Sequence, residues 1–295
     1  MEIRINQQPL DFTLEGSETI AAVLLSLQQW VESGGEFIVE SFIDGADMAA
    51  GIPDTLKHKP ASEVNRIELT TCPPLGFRLR KLTILDNYLS VLEETVLKGT
   101  LTDIQAVADE YQYIQQQLAE ELSGCSNANT SELHTIVQAL RTEKRELTSS
   151  QQQSVAIIIQ MARSILKDRI RELTHPQQES QLAAQNLQKM LPHIAEVSIL
   201  LQSNAEKTAM QTVFSATELL SKLLRTLGIL RISTDSDFPF STIEAKETEL
   251  RELLKELEAA LTENDTVTIG DLLEYEITPI IEEVCATVLG RGVNG

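Results

Sequence analysis

Apolar residues along this chain follow two different periods. Residues 2–6, EIRIN, and 10–14, LDFTL, alternate apolar and polar, as half-buried strands do. The polar QQP between them is expected to form a hairpin turn. GSETIAAVLLSLQQWVESGG then takes the helical period; Ser17 or Thr19 is placed to cap it, and Gly34 and Gly35 to end it. FIVESFIDG is a third strand, with Gly45 at a turn. After an irregular stretch containing Pro53 and Pro60, NRIELTT is a fourth. The expected order is β-β-α-β-β, closed by the boundary CPPLG, Cys72 to Gly76, where two prolines and a glycine stop a strand and delay a helix.

From Phe77 onward apolar residues recur every three or four positions. Leu82, Leu85, Leu89, Leu92 and Val96 form one stripe, and Ile104, Val107, Tyr111, Ile114 and Leu118 the next, with Gly99 dividing them. Such a seam suits helices packed nearly antiparallel, at about +20°. Capping boxes are expected at Thr102 with Gln105, Ser150 with Gln153, Ser203 with Glu206, and Ser241 with Glu244. About eight helices result: 77–98, 102–123, 130–147, 150–174, 177–202, 204–230, 242–262 and 266–289. Between Arg141 and Gln153 the stripe loses its apolar members. A break at TSSQQ is favoured over one long helix with a solvated middle. The expected class is α+β: a small mixed domain over 1–75 and a large all-α antiparallel bundle over 76–295.

MEIRI, FTLEGSETI, FIVESFIDGADM and NRIELT occur in the order and approximate spacing of ubiquitin-like β-grasp domains, which the first 73 or so residues resemble. Members of that family that conjugate or carry sulfur end in a Gly-Gly tail. Here the fourth strand runs into TCPPLGFRLRKL and the chain continues, which argues against a modifier or sulfur carrier. The resemblance implies a docking module; a cap on the helical part is the equal alternative. The IGDLLEYE stretch near the C-terminus resembles the ends of uncharacterised bacterial helical proteins, a likeness that brings no activity with it.

That stretch belongs to TIGDLLEYEITPIIEEV, which is unusual for a helix. With Ile269 at zero and about 100° per residue, Leu273, Ile277, Ile280, Ile281 and Val284 fall on one side. Tyr275 falls away from that stripe, beside Leu272, Pro279 and Ala286 in a second strip. Pro279 removes the hydrogen bond to the Tyr275 carbonyl, so a kink is expected. The second strip is either packed within its own bundle, a dimer seam, or a partner site built from Leu272, Tyr275 and Pro279 and ringed by Asp271, Glu274, Glu276 and Glu282. DFPF sets Phe238 and Phe240 in a loop, as a plug into the core or an exposed docking point.

Charge narrows the class of partner. The net charge is -20, with 12 acids against 4 bases over residues 1–75, 13 against 11 over 76–175, and 19 against 9 over 176–295. Such a surface repels phosphate backbones and anionic lipid, so neither nucleic acid nor membrane is an expected partner. The first ten residues have no basic region ahead of an apolar run, and no apolar run reaches about 18 residues. A cytoplasmic location is expected by elimination. Cys72, Cys125 and Cys285 are odd in number and lack metal-ligand spacing, which fits incidental thiols in a reducing compartment.

Catalytic signatures are missing. Glu172 and His175 make a single Glu-x-x-His at a helix end before Pro176, where a di-metal bundle needs two copies. There is no nucleophile elbow, no P-loop and no glycine fingerprint after a strand, and LGRGVNG reads as a frayed tail. The Glu-rich run ETELRELLKELEAALTEND reads as a solvated helix face. The expectation is therefore a non-catalytic adaptor or scaffold without metal or cofactor. A chaperone for exported or assembling subunits, such as flagellar or secretion substrates, is the first alternative. An enzyme with a site between the two domains is the second.

Overall fold

The computed structural model describes residues 1–10, 19–48, 52–123, 130–203, 205–233, 240–263 and 265–290. Residues 11–14 of the expected second strand, Ser17, Cys125, Phe238 and the tail 291–295 lie outside these. The protein is α+β: an N-terminal five-stranded mixed sheet followed by a large helical region. Its contacts divide it into two units, Met1–Leu82 and Thr83–Gly295.

The first unit contains β1 (Glu2–Ile5), β2 (Gln8–Leu10), helix α1 (Ile20–Ser33), β3 (Phe37–Ile43), β4 (Ala46–Asp47), a one-turn helix α2 (Asp54–Lys57) and β5 (Arg66–Cys72). The strand order is β2-β1-β5-β3-β4; β1 and β5 run parallel and the other pairs antiparallel. The hairpin turn lies at Asn6 and Gln7, with φ of 50° and 68°, and Gln8 and Pro9 already belong to β2. Two successive positive φ values are what a two-residue hairpin loop needs, and asparagine tolerates them better than most residues. The Asn6 side chain also bonds across to β5: its amide donates to Thr71 Oγ1 and its oxygen accepts from the Thr71 N–H, both at 2.9 Å.

The fifth strand, β4, was not expected. Asp44 and Gly45, with φ of 49° and 84°, make a second two-residue turn that pairs Ala46 with Ile43 and Asp47 with Phe42. Two residues are too few to show a period. Thr19 caps α1 by accepting the Ala22 N–H, and Gly35 follows the helix at φ 76°. The helix buries Ile20, Val23, Leu27 and Val31; the first three join Ile3, Ile43, Ile67 and Leu69 of the sheet in one core.

Helix α3 (Pro74–Lys98) starts directly after β5, three residues earlier than expected. Proline at the first helical position costs little, because no N–H is needed there. The Pro73 carbonyl opens the helix by accepting the Phe77 N–H. Phe77 stacks on Phe37, with centroids 4.9 Å apart, and Arg80 pairs with Glu40 at 2.9 Å.

The second unit continues with α4 (Leu101–Glu110), α5 (Gln115–Leu122), α6 (Thr130–Thr142), α7 (Ser149–Thr174), α8 (Pro176–Ala195), α9 (Val197–Gln202), α10 (Glu206–Ser233), α11 (Phe240–Glu263), α12 (Thr266–Asp271) and α13 (Thr278–Val288). Every expected helix has a counterpart. Three are divided: 102–123 by a 3-10 turn at Tyr111–Tyr113, 177–202 at Glu196, and 266–289 by the π-helical segment Leu272–Ile277.

Two capping boxes sit two residues ahead of the expected ones, at Thr100 with Asp103 and Thr148 with Gln151. Both frames satisfy the motif, and the earlier one adds helical hydrogen bonds. TSSQQ is consequently the start of α7, and the break falls at 143–148. Ser203 bonds back to the Leu200 carbonyl at the end of α9 rather than capping α10, and Ser241 lies within α11. The stripe Leu85, Leu89, Leu92 and Val96 is fully buried. The main core of this unit joins α8, α10, α11 and the C-terminal helices around Leu187, Leu223, Leu227, Leu250 and Ile277.

Candidate interaction surface

The C-terminal helices begin with a strong cap. Asp265 accepts the N–H groups of Val267 and Thr268 and the Thr268 hydroxyl, the last at 2.7 Å. The Thr268 hydroxyl, followed by the backbone donors, holds the Asp265 carboxyl below its ordinary pKa. One turn on, Gly270 lets α12 close onto α9. A Cβ at Gly270 would lie 2.9 Å from Ser198 Cβ and 3.2 Å from Ser198 Cα.

The helix then widens. The Thr278 N–H donates to the Leu273 carbonyl five residues back, the π register, just before Pro279 enters the first turn of α13. The irregularity is thus a π segment preceding the proline. Each residue in it turns through less than the usual 100° or so, which brings both Leu272 and Leu273 inward. Leu272, Leu273, Ile277, Ile280, Ile281 and Val284 are all buried in the main core.

The expected second strip is therefore split. Leu272 is core, 5% exposed, whereas Tyr275 is 67% exposed; Pro279 is also exposed and Ala286 half-buried. Asp271, Glu276 and Glu282 are exposed. Glu274 accepts a hydrogen bond from Tyr275, which raises the phenol pKa. Phe240 is half-buried against the main core with the Arg231 guanidinium 5.7 Å from its ring centre.

Two further apolar side chains are exposed on α9 and α12. Val267, one turn before Gly270, is 67% exposed, and Ile199, next to Ser198, is 65% exposed. Both flank the α9–α12 crossing. The segment from Asp265 to Val288 carries six acids and no Lys, Arg or His. Lys246 pairs with Glu283 at 3.1 Å. Among the described residues no cation pairs with Asp271, Glu274, Glu276 or Glu282.

The residues considered for chemistry are dispersed. His175 joins α7 to α8, its Nδ1 2.8 Å from Thr174 Oγ1, whereas Glu172 accepts both Nε and Nη2 of Arg225, at 3.0 and 2.9 Å, and is also held by Arg169. Glu172 and Arg225, 53 residues apart, lie with Lys222 and Arg169 along a cleft of about 350 Å³ between α7 and α10. Lys222 also pairs with buried Glu179. This ionic cluster was not visible in the sequence; the only local signal was the i,i+3 spacing of Arg169 and Glu172. Burial pushes the Cys285 thiol up to about 12, which makes it inert at neutral pH. Among the described residues no group of three or more His, Cys, Asp or Glu is placed to hold a metal ion, and no helix is long and apolar enough to cross a membrane.

Residues 1–73 match a family described as the TP0873 N-terminal domain, and residues 181–287 match a domain of unknown function, DUF8042. The second match runs from α8 into α13 and so contains the surface around Tyr275. No curated protein and no solved structure matches the chain.

Proposed function

We propose that the chain is a non-catalytic adaptor or scaffold of the cytoplasm whose C-terminal helices hold a protein partner. The observation that carries this reading is the exposure of Tyr275 and Val267 on a segment whose only charges are acidic. A large aromatic and a β-branched side chain, each about two-thirds in water, favour burial against a second surface. A rim of carboxylates keeps the free protein soluble. The front unit supports a β-grasp docking module, with the parallel pair β1–β5 inside the sheet and α1 packed on one face.

Cross-linking pull-down from the native host, with wild type and a Val267→Glu/Tyr275→Glu variant, tests the reading. Leu272 is left intact because it is core. A partner recovered near stoichiometry by wild type, and lost by a variant with unchanged circular dichroism, is the expected outcome. Recovery of the same proteins by the variant would sink it. The chaperone alternative draws on the further exposed apolar residues Ile157, Met161 and Phe214. It requires a client whose solubility rises with this protein present.

A further inference from the structure

The chemistry of the partner can be read from the same surface, and this inference rests on the docking proposal above. Each charged side chain on α12, the π segment and the first two turns of α13 is a carboxylate, and Lys246, which also pairs with Glu249, meets this segment at Glu283. Tyr275 stands between Asp271 and Glu276 in sequence, with its ring in water and its hydroxyl on Glu274. An aromatic face beside carboxylates attracts a guanidinium or ammonium twice, through the ring quadrupole and through the charges. Val267 and Ile199, flanking the α9–α12 crossing, offer apolar contact to an aliphatic anchor.

A second copy of the chain is a poor occupant. A two-fold contact through this face would set one copy of the acidic set Asp271, Glu274, Glu276 and Glu282 against another copy of the same set, with no cation from the segment to offset it. Anionic lipid and nucleic acid are repelled for the same reason. We propose that this face takes a cationic amphipathic segment of a partner protein, with Lys or Arg side chains over Tyr275 and its neighbouring carboxylates and an apolar anchor against Val267 and Ile199.

The test uses the full chain and a dye-labelled Leu/Lys peptide of about 18 residues, long enough to form an isolated helix. A Leu/Glu peptide of the same pattern is the counter-probe, and fluorescence anisotropy is the readout. The Leu/Lys peptide is expected to bind, more weakly as salt rises from about 50 to about 300 mM, and the Leu/Glu peptide to be ignored. Val267→Ser/Tyr275→Ser and Asp271→Asn/Glu274→Gln/Glu276→Gln should each weaken binding about tenfold. Glu244→Gln/Glu256→Gln/Glu258→Gln removes three exposed charges from α11 and should stay within about twofold of wild type.

Equal loss in the α11 control would mean diffuse attraction to an acidic protein and would overturn the proposal. So would equal binding of the Leu/Glu peptide, or no binding of the Leu/Lys peptide. A wild-type dimer in sedimentation that becomes monomeric in Val267→Ser/Tyr275→Ser would overturn it in favour of self-assembly. If the pull-down partner depends on Tyr275 and Val267 while the Leu/Lys peptide does not bind, the docking face stands and its cationic specificity fails.

Discussion

Replacing Gly270 by alanine sets two effects of opposite sign against each other. In an unobstructed helix, alanine in place of glycine gains about 1 kcal/mol from reduced backbone entropy. At Gly270 the new Cβ would lie 2.9 Å from Ser198 Cβ, 3.0 Å from Ser198 Oγ and 3.2 Å from Ser198 Cα. Carbons prefer about 3.5–4.0 Å, so α9 and α12 must part by several tenths of an ångström. Backbone cannot swing away as a side-chain tip can. Overpacking of this kind costs about 1–3 kcal/mol, and with the direct clash on Ser198 the upper half of that range applies. The expected net destabilisation of Gly270→Ala is about 1–2 kcal/mol.

Gly228, within α10, is the control. Nothing lies within 4 Å of its added Cβ, so Gly228→Ala should stabilise by about 0.5–1 kcal/mol. Urea titration followed by far-UV circular dichroism reads both, since most of the helix belongs to the second unit. Ser198→Gly in the Gly270→Ala background removes the two closest clashing atoms and should recover part of the loss, a coupling that a double-mutant cycle isolates. A Gly270→Ala protein as stable as Gly228→Ala would refute the close approach, and with it the placement of Ile199 and Val267 beside one crossing.

Glu172 supplies a second test: it is 2% exposed and holds both Arg225 and Arg169. Glu172→Ala should lower stability by about 3 kcal/mol, read as a urea midpoint, whereas Glu94→Ala, which breaks the exposed pair with Lys98, should stay within about 0.5 kcal/mol. The third concerns acid. Burial pushes the Glu93 carboxyl upward, but hydrogen bonds from Gln160 and Arg163, each 2.6 Å, outweigh it and hold the folded pKa below the ordinary 4.5. A depressed folded pKa contributes stability above the unfolded value and loses it as pH falls from about 4.5 through the folded value. Glu93→Gln should therefore flatten the decline of the urea midpoint across that acid window. Parallel declines in the two proteins would contradict the assignment.

Local periodicity carried most of the architecture. Leu85, Leu89, Leu92 and Val96 repeat at steps of four, three and four, and all four are fully buried, because a seam of that period has a single inward side. What local pattern left open was frame. Thr100 and Thr102 each precede an acceptor by three residues, as do Thr148 and Ser150, and neither spacing nor residue type ranks them. β4 escaped because two residues have no period, although Asp44-Gly45 before it is a hairpin dipeptide in its own right. Arg225 reaches Glu172 across 53 positions of sequence, a distance over which helical periodicity says nothing.

The C-terminal helix shows why the candidate surface was half legible. At a constant turn per residue from Ile269, Leu272 lies beside Tyr275. Pro279 was the warning that the turn is not constant. A helix that must lose a hydrogen bond can take up the defect as a π segment instead of kinking at the proline itself, and the segment here ends at Ile277. Across it the phase slips by part of a turn. Leu272 moves into the core, where its burial is favourable, and Tyr275 is left outside, with its hydroxyl on Glu274. The other exposed apolar residues come from a different helix and from an earlier turn: Ile199 beside the Ser198 that Gly270 admits closely, and Val267 one turn before that contact. A periodic projection finds residues that share one helix face. A face assembled by a glycine crossing and a phase slip is specified just as firmly by sequence, but through Gly270 and Pro279, residues that contribute almost no side chain to it.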